Sequence, residues 1–590
     1  MTVLLTMTPT ASLSAVFAGL LLCVTAQDAY PTRTTRSGSV SGATVAFGGS
    51  TVEEYLGIPY AAPPVGPLRF QPPRPALSWE GVRNASTFGN SCMQTRTNYG
   101  PLSEDCLFLN IYVPVLNGSD QTQSMAVMVY IHGGRFNFDT ALSFNGKWLA
   151  SRGDVIVVTL NYRLNVFGFL STGDRNSPGN FGLMDQRAAI VWVKDNIRNF
   201  GGDPGRITIF GESAGGMAVS MQLISPKTAG LFQRAICQSG VAMTPGAINF
   251  DPLEATKKLC AYLGCGTEDP AGMVAALRDM DADELTQAAA LFTGNFTRRV
   301  WLPVIDGDFL PEEPARYLQS ASLDSRQLLI GCNNDEGGGQ LGQGAPASYI
   351  TDRQSFQFYL NSSLFPTYPK NTQMVMKAAM YEYGVWEETD PEVLRRAFAQ
   401  MYGDFEYLAN TVQKANLYSQ RNQQTYMYLF THRPSFSTLP GYVEASHGQE
   451  LYFLFPDLRG NDPESLSAEE EELSRVMIKY WTNFAKTGNP VLPSSSDLPT
   501  DWPLYVPRFG QPTTKQYLTL NTNITAEDVS SNLRPKKIYF WTEVAPALES
   551  ILQPTCEPGI SASSAVLPRD AMWRFSAIAL ALCLSRLSSH

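Results

Sequence analysis

Apolar residues recur along the chain in two rhythms. Between positions 36 and 60 they alternate with polar ones, in Gly38-Ser39-Val40-Ser41-Gly42 and in Val52-Glu53-Glu54-Tyr55-Leu56, which predicts early strands. Pro63 to Pro75 holds too many prolines for regular structure and reads as loop. Residues 107–113, 126–131 and 155–160 are short, nearly continuous apolar runs, the signature of strands covered on both faces. The rhythm then changes. In 185–200 Ala189, Trp192, Val193 and Ile197 share one face of a helix. Strand-like runs return at 207–210, 234–238, 327–331 and 425–430, and 217–223 reads as helix. Strands alternating with helices predict an α/β architecture, a mostly parallel central sheet with helices on both faces. Residues 250–425 mix helix and loop and read as insertions capping the sheet, and no linker divides 31–550.

Between strand 207–210 and helix 217–223 lies Gly211-Glu212-Ser213-Ala214-Gly215-Gly216. Gly-x-Ser-x-Gly at a strand-to-helix turn is a nucleophile elbow. The turn is tight, so Gly211 and Gly215 are small for lack of room, and the N–H of Ala214 at the helix start can face an oxyanion. A serine nucleophile needs a base, and the base needs an acid. Of the four histidines, His590 is in the tail, His132 precedes two glycines in a turn, and His432 directly follows a strand. His447, in Ala445-Ser446-His447-Gly448, is the favoured base. Asp335 and Glu336, after strand 327–331, compete as the acid. The chain order of serine, acid and histidine is that of an α/β-hydrolase. The turn His132-Gly133-Gly134-Arg135-Phe136, after strand 126–131, fits a second oxyanion donor.

Composition narrows the setting. The chain has 590 residues, 44% apolar and 17% charged, which is ordinary globular composition. A net charge of −10 argues against a nucleic-acid partner. The apolar run 13–24 followed by Val24-Thr25-Ala26 reads as a secretory signal, residues 1–26. A mature domain is expected over 27–555 and a C-terminal tail over 556–590. In that tail, small residues 561–564, a polar spacer and the apolar run 575–584 form the pattern of a glycosylphosphatidylinositol-anchor signal, which implies membrane contact through lipid. Secretion fits the cysteines. Cys92 and Cys106 bracket a small loop and Cys260 and Cys265 lie close together, although spacing leaves the connectivity open. Cys237 and Cys332 read as buried thiols, and Cys556 is free to join two chains into a homodimer. Asn84, Asn117, Asn295, Asn361 and Asn523 head glycosylation sequons.

Taken together these residues resemble the type-B carboxylesterase family, which includes the cholinesterases and bile-salt-activated lipase. The resemblance spans about residues 35–545. It rests on Gly57-Ile58-Pro59-Tyr60-Ala61, Pro67-Leu68-Arg69-Phe70, Ser103-Glu104-Asp105-Cys106-Leu107, Asn161-Tyr162-Arg163, Gly201-Gly202-Asp203-Pro204 and Gly211 to Gly216. It implies a single large α/β-hydrolase domain with a deep gorge. Ser213 would be the nucleophile, Glu336 the acid and His447 the base. The N–H groups of Gly134, Arg135 and Ala214 would form the oxyanion hole, and disulfides would join Cys92–Cys106 and Cys260–Cys265. No metal or cofactor is implied.

Three departures bear on substrate. Where cholinesterases place a choline-binding Trp, ten residues before the second loop cysteine, this chain has Arg96. An ammonium headgroup there would lose its cation–π partner, about 1–2 kcal/mol when desolvated. Arg135 replaces the usual small residue of the glycine turn. The acyl-pocket segment reads Phe296-Thr297-Arg298-Arg299-Val300-Trp301, with arginines in place of aromatic crowding, so Phe296, Arg299 and Trp301 are expected to shape a broad or anion-tolerant pocket. The leading expectation is an extracellular serine carboxylesterase acting on a small-molecule or lipid ester. The alternatives are a catalytically silent, neuroligin-like adhesion protein, which the intact triad opposes, and a lipase.

Overall fold

The strands that carry the fold are the ones whose apolar residues leave no polar face. Ile156–Leu160, Gln327–Asn333 and Thr425–Phe430 are buried over almost their whole length. In Met125–Ile131, Val127, Val129 and Ile131 enter one core, while Ala126, Met128 and Tyr130 enter a second on the opposite side of the sheet. Burial is favourable on both faces, at about 1.5–3 kcal/mol per large aliphatic side chain, which is why strict alternation is absent here.

The computed structural model describes residues 30–47, 49–116, 124–292, 300–320, 325–421, 424–458, 465–491, 498–505 and 515–551. The secretory signal, Asn117, Asn295, Phe296, Arg298, Arg299, Cys556 and the C-terminal tail lie outside them. Among the described residues the main sheet has eleven strands. In chain order they are β1 (Ala43–Phe47), β2 (Ser50–Pro59), β3 (Phe108–Pro114), β4 (Met125–Ile131), β5 (Ile156–Leu160), β6 (Gly202–Glu212), β7 (Arg234–Gln238), β8 (Gln327–Asn333), β9 (Thr425–Phe430), β10 (Gln516–Leu520) and β11 (Val529–Ser531). Their spatial order is β11-β10-β9-β8-β7-β6-β4-β5-β3-β2-β1. From β5 to β10 every pairing is parallel. The pairings outside that block are antiparallel. This is the α/β-hydrolase arrangement expected from sequence. The described residues from 30 to 549 belong to one compact unit.

The helix read at 185–200 starts earlier, as α1 (Phe181–Asn196), and ends in a 3-10 turn, Ile197–Phe200. It packs into the first core with α2 (Ala214–Ile224). The second core is covered by α3 (Ala468–Thr487), whose start is fixed by a capping box between Ser467 and Glu470. Its Met477, Trp481 and Phe484 are fully buried. Neither α3 nor β10 and β11 is evident from the sequence pattern. Family motifs find structural uses: the Arg69 guanidinium meets Glu104 at 2.7 Å, and Arg163 meets Asp185 at 2.7 Å in a fully buried pair. Disulfides join Cys92 to Cys106 and Cys260 to Cys265, while Cys237 and Cys332 are buried thiols. Asn84 and Asn523 are exposed and Asn361 partly so. No described helix is long and apolar enough to cross a membrane.

Candidate active site

Parallel strands present their carboxyl ends on one edge, and the site is built from the loops that leave that edge. β6 ends at Glu212 and α2 begins at Ala214, so Ser213 must reverse the chain by itself, with φ 58° and ψ −124°. A non-glycine residue tolerates that conformation only when its surroundings impose it. Here they do. A Cβ on Gly211 would stand 2.5 Å from the Ile131 carbonyl oxygen, and one on Gly215 would run into the same oxygen. One on Gly216 would press on the carbonyls of Gln238 and Gly240 at 2.7 and 2.8 Å. The Ser213 N–H donates to Gln238 O at 2.9 Å, tying the elbow to β7.

The structure brings Ser213, His447 and Glu336 together. His447 Nε2 lies 2.9 Å from Ser213 Oγ, and His447 Nδ1 lies 2.6 Å from Glu336 Oε2. Glu336 is buried, and its other oxygen accepts from the Ser239 hydroxyl at 2.5 Å and the Asn333 N–H at 2.6 Å. Asp335 is turned away and accepts from the Glu444 N–H at 2.8 Å, which separates the two acids that the sequence left in competition. His432 is engaged by Glu470 at 2.9 Å, and His132 is buried against Tyr162 with ring centroids 4.5 Å apart. Burial lowers the pKa of His132. The loops bearing acid and base are fastened together: Asp335 N–H donates to Ala445 O at 2.8 Å, and the Asn333 amide to Ser446 O at 2.7 Å.

Three carboxylates surround the base. Besides Glu336, Glu212 Oε1 lies 3.2 Å from His447 Nε2. Glu450 is fully buried, held by the Gln238 amide at 3.2 Å and the Asn333 amide at 2.6 Å. Burial works to lower the His447 pKa, but the charges of Glu212 and Glu336, with the Glu336 hydrogen bond, outweigh it and hold the imidazole up at about 9. Burial, then the charge of Glu336, push Glu450 up to about 7. The Tyr407 ring packs on the His447 ring at 4.4 Å. Sequence reasoning did not single out Glu212, Ser239, Tyr407 or Glu450. Only Glu212, beside the serine, and Glu450, three residues after the histidine, carried a positional signal.

The glycine turn lies against the elbow, where a Cβ on Gly133 would come within 2.8 Å of Glu212 O and 3.2 Å of Ser213 Cβ. Gly134 and Arg135 have φ of 85° and 58°, a left-handed bend beside the nucleophile. Ala214 is the first residue of α2, so its N–H has no partner a turn earlier within the helix. These are the three backbone groups that the family resemblance leads one to expect around an oxyanion. A cavity of about 310 Å³, lined by Glu212, His447, Phe436, Leu439 and Tyr452 among others, opens beside the base. Arg96 is exposed and lies 3.7 Å over the Phe138 ring. Trp301 is buried, its ring N–H donating to Ala289 O at 3.0 Å, so it packs in the core.

Comparison with known proteins identifies the family. The sequence profile described as the carboxylesterase family matches residues 29–541. The chain is 37% identical over 566 residues to the cocaine esterase of Homo sapiens, covering 91% of this chain and 96% of that protein. It is 37% identical over 553 residues to carboxylesterase 5A of Canis lupus familiaris, covering 90% and 91%. It is 35% identical over 554 residues to neuroligin-2 of Mus musculus, covering 85% of this chain but 65% of that protein. With residues 29–541 matched and its elbow built as the motif requires, the chain belongs to the carboxylesterase family.

Proposed function

We propose that this chain is an extracellular serine carboxylesterase. The observation that carries the reading is the unbroken relay Ser213 Oγ–His447 Nε2 at 2.9 Å and His447 Nδ1–Glu336 Oε2 at 2.6 Å. Ser213 attacks the ester carbonyl as His447 takes its proton, and Glu336 stabilises the imidazolium. The N–H groups of Gly134, Arg135 and Ala214 receive the oxyanion. His447 then returns the proton to the leaving alcohol, and the acyl-enzyme is hydrolysed by water activated in the same way. Similarity to a cocaine esterase and a carboxylesterase 5A supports ester substrates. The test is hydrolysis of p-nitrophenyl acetate, butyrate and a long-chain ester beside Ser213→Ala. Turnover that depends on Ser213 supports the esterase, and the chain-length ratio separates it from a lipase.

A catalytically silent, neuroligin-like role is the second reading, favoured by the similarity to neuroligin-2 and by Arg135 in the oxyanion turn. No turnover above the Ser213→Ala control on any ester would decide for it. Residues 1–26 and 556–590 support secretion followed by lipid anchoring at the cell surface. Phosphatidylinositol-specific phospholipase C should release the protein from cells, and resistance would count against the anchor. Cys556 offers an intermolecular disulfide, which a non-reducing gel would reveal as a dimer.

A further inference from the structure

The outer residues of the Asn161-Tyr162-Arg163 motif act as anchors. Asn161 Oδ1 accepts the Ala141 N–H at 2.8 Å, its amide donates to Asn90 O at 2.9 Å, and Arg163 meets Asp185 at 2.7 Å. Between them Tyr162 has a fixed place. β5 runs parallel to β4 with Leu160 paired to Ile131, so Tyr162 and His132 leave the same edge of the sheet side by side. Their rings stack, centroids 4.5 Å apart and planes 24° from parallel, and both are buried. Burial pushes the pKa of the Tyr162 hydroxyl up and that of the His132 imidazole down, so both groups are neutral.

The Tyr162 hydroxyl donates to His132 O at 2.9 Å and, more weakly, to Gly133 O at 3.4 Å. Gly133 O also faces His132 Nδ1 at 3.2 Å. A carbonyl oxygen only accepts, so Nδ1 carries the ring proton. Nε2 has no hydrogen-bond partner among the described residues, as suits the bare nitrogen of that tautomer. A peptide is planar, so the Gly133 carbonyl and the Gly134 N–H point in opposite directions across one unit. That N–H is one of the groups expected to receive the oxyanion. Neither glycine has a Cβ and Gly134 sits at φ 85°, so sterics alone do little to stop this peptide from flipping. Tyr162 and His132 supply the hold. Each hydrogen bond to the carbonyl also polarises the peptide and strengthens its N–H as a donor.

We propose that Tyr162 is a positioning residue for ester hydrolysis: its hydroxyl, with the His132 ring stacked on it, holds the Gly133–Gly134 peptide so that the Gly134 N–H meets the oxyanion. The effect on turnover rests on the esterase reading, and the hold on the peptide does not. Tyr162→Phe removes the hydroxyl and keeps the ring. On p-nitrophenyl acetate it should lower kcat about tenfold with KM unchanged, less than the roughly hundredfold that losing a whole oxyanion donor costs. An alkyl trifluoromethyl ketone, to which Ser213 adds as a hemiketal oxyanion, should weaken in step. Tyr480→Phe is the control, since Tyr480 is fully buried in α3 and its hydroxyl donates to Thr500 O at the same 2.9 Å. It should keep its kcat whatever it loses in melting temperature. An unchanged kcat in Tyr162→Phe, or an equal loss in Tyr480→Phe, would overturn the proposal.

A lower kcat with undiminished ketone affinity would also overturn it, because the hydroxyl would then act elsewhere than on the oxyanion. The hold itself is read by NMR without turnover. Glycine labelled with 13C at the carbonyl and 15N at the nitrogen gives carbonyl–nitrogen correlations only at Gly-Gly pairs, of which the chain has six. Tyr162→Phe should shift the Gly133–Gly134 signal and leave that of Gly201–Gly202 in place, and an unmoved Gly133–Gly134 signal would overturn the hold. If wild type hydrolyses no ester and adds no ketone while that signal still moves, the esterase reading fails and the positioning of the peptide stands.

Discussion

At His447 two carboxylates oppose burial and win, so the base holds its proton to about pH 9. Ester attack needs the neutral imidazole, so kcat/KM should climb on the alkaline side of neutrality. Glu212 is the larger of the two charge contributions and does not hold the Nδ1 proton that Glu336 receives. Glu212→Gln removes a negative charge that favours the imidazolium. The pKa should fall and the acid limb of the pH–rate profile should move down by about one unit, with the triad geometry kept. A limb that stays in place or moves up would mean that the Glu212 charge does not hold this pKa up. Arg135 supports a second expectation at the same scale. Its left-handed φ of 58° suits glycine, so Arg135→Gly should fold at no cost to the turn. It should lower the ratio of rates on carboxylate-bearing to neutral esters several-fold, and an unchanged ratio would mean the guanidinium does not reach the substrate. That Glu336 and not Asp335 meets the histidine was not legible from the residues themselves. Both follow β8, and only the family pattern, and then the cross-link between Asp335 and the Glu444 N–H, tells them apart.

The strand–turn–helix around Ser213 is where sequence and structure correspond most closely. The apolar run before it and the glycines around it leave the chain one way to turn, because the Ile131 carbonyl of β4 stands where either flanking Cβ would go. Gly215→Ala should therefore cost about 3 kcal/mol and abolish ester hydrolysis, since relief requires moving β4 or the serine. Gly441→Ala, with open space around its Cβ position and no positive φ, should leave melting temperature and activity unchanged. A Gly215→Ala protein with normal turnover would show that the elbow can relax. Elements were legible where a local pattern suffices. The parallel strands β4 to β9 announce themselves because both faces are apolar. β10 and β11 do not: Gln516–Leu520 offers two fully buried leucines among partly exposed residues, and Val529–Ser531 is three residues long. The π turn at Asp404–Leu408 depends on Tyr383 and Arg534, distant partners that no local window contains.

For the whole molecule, the same groups that tune the site set how stability varies with pH. Glu450 goes from an ordinary 4.5 to about 7 on folding, so the folded chain keeps a proton that the unfolded chain releases. That disfavours the folded state progressively as pH rises from 4.5 through 7. His447 goes from 6.5 to about 9, so its contribution is whole below 6.5 and is lost as pH rises through 9. Below pH 4 the sign reverses, because Asp203, held low by Arg206, and Asp174, held low by hydrogen bonds, must be protonated against their partners. Above pH 8 buried Lys414, lowered from 10.5 to about 8, also reverses it, since the folded chain sheds that proton first. The melting temperature measured at constant ionic strength should therefore peak near pH 5 and decline to pH 8, while kcat/KM rises over the same range. Glu450→Gln keeps hydrogen-bonding capacity toward Asn333 and removes the titration, so it should flatten the decline between pH 5 and 7 and leave the part above 7 in place. A melting temperature that rises from pH 5 to 7 in the wild type would contradict the assignment of these two protons. A decline that persists unchanged in Glu450→Gln would assign the lower part of it to another group. On this account the folded state is most stable where its base is protonated and idle, and loses stability as that base becomes competent to act.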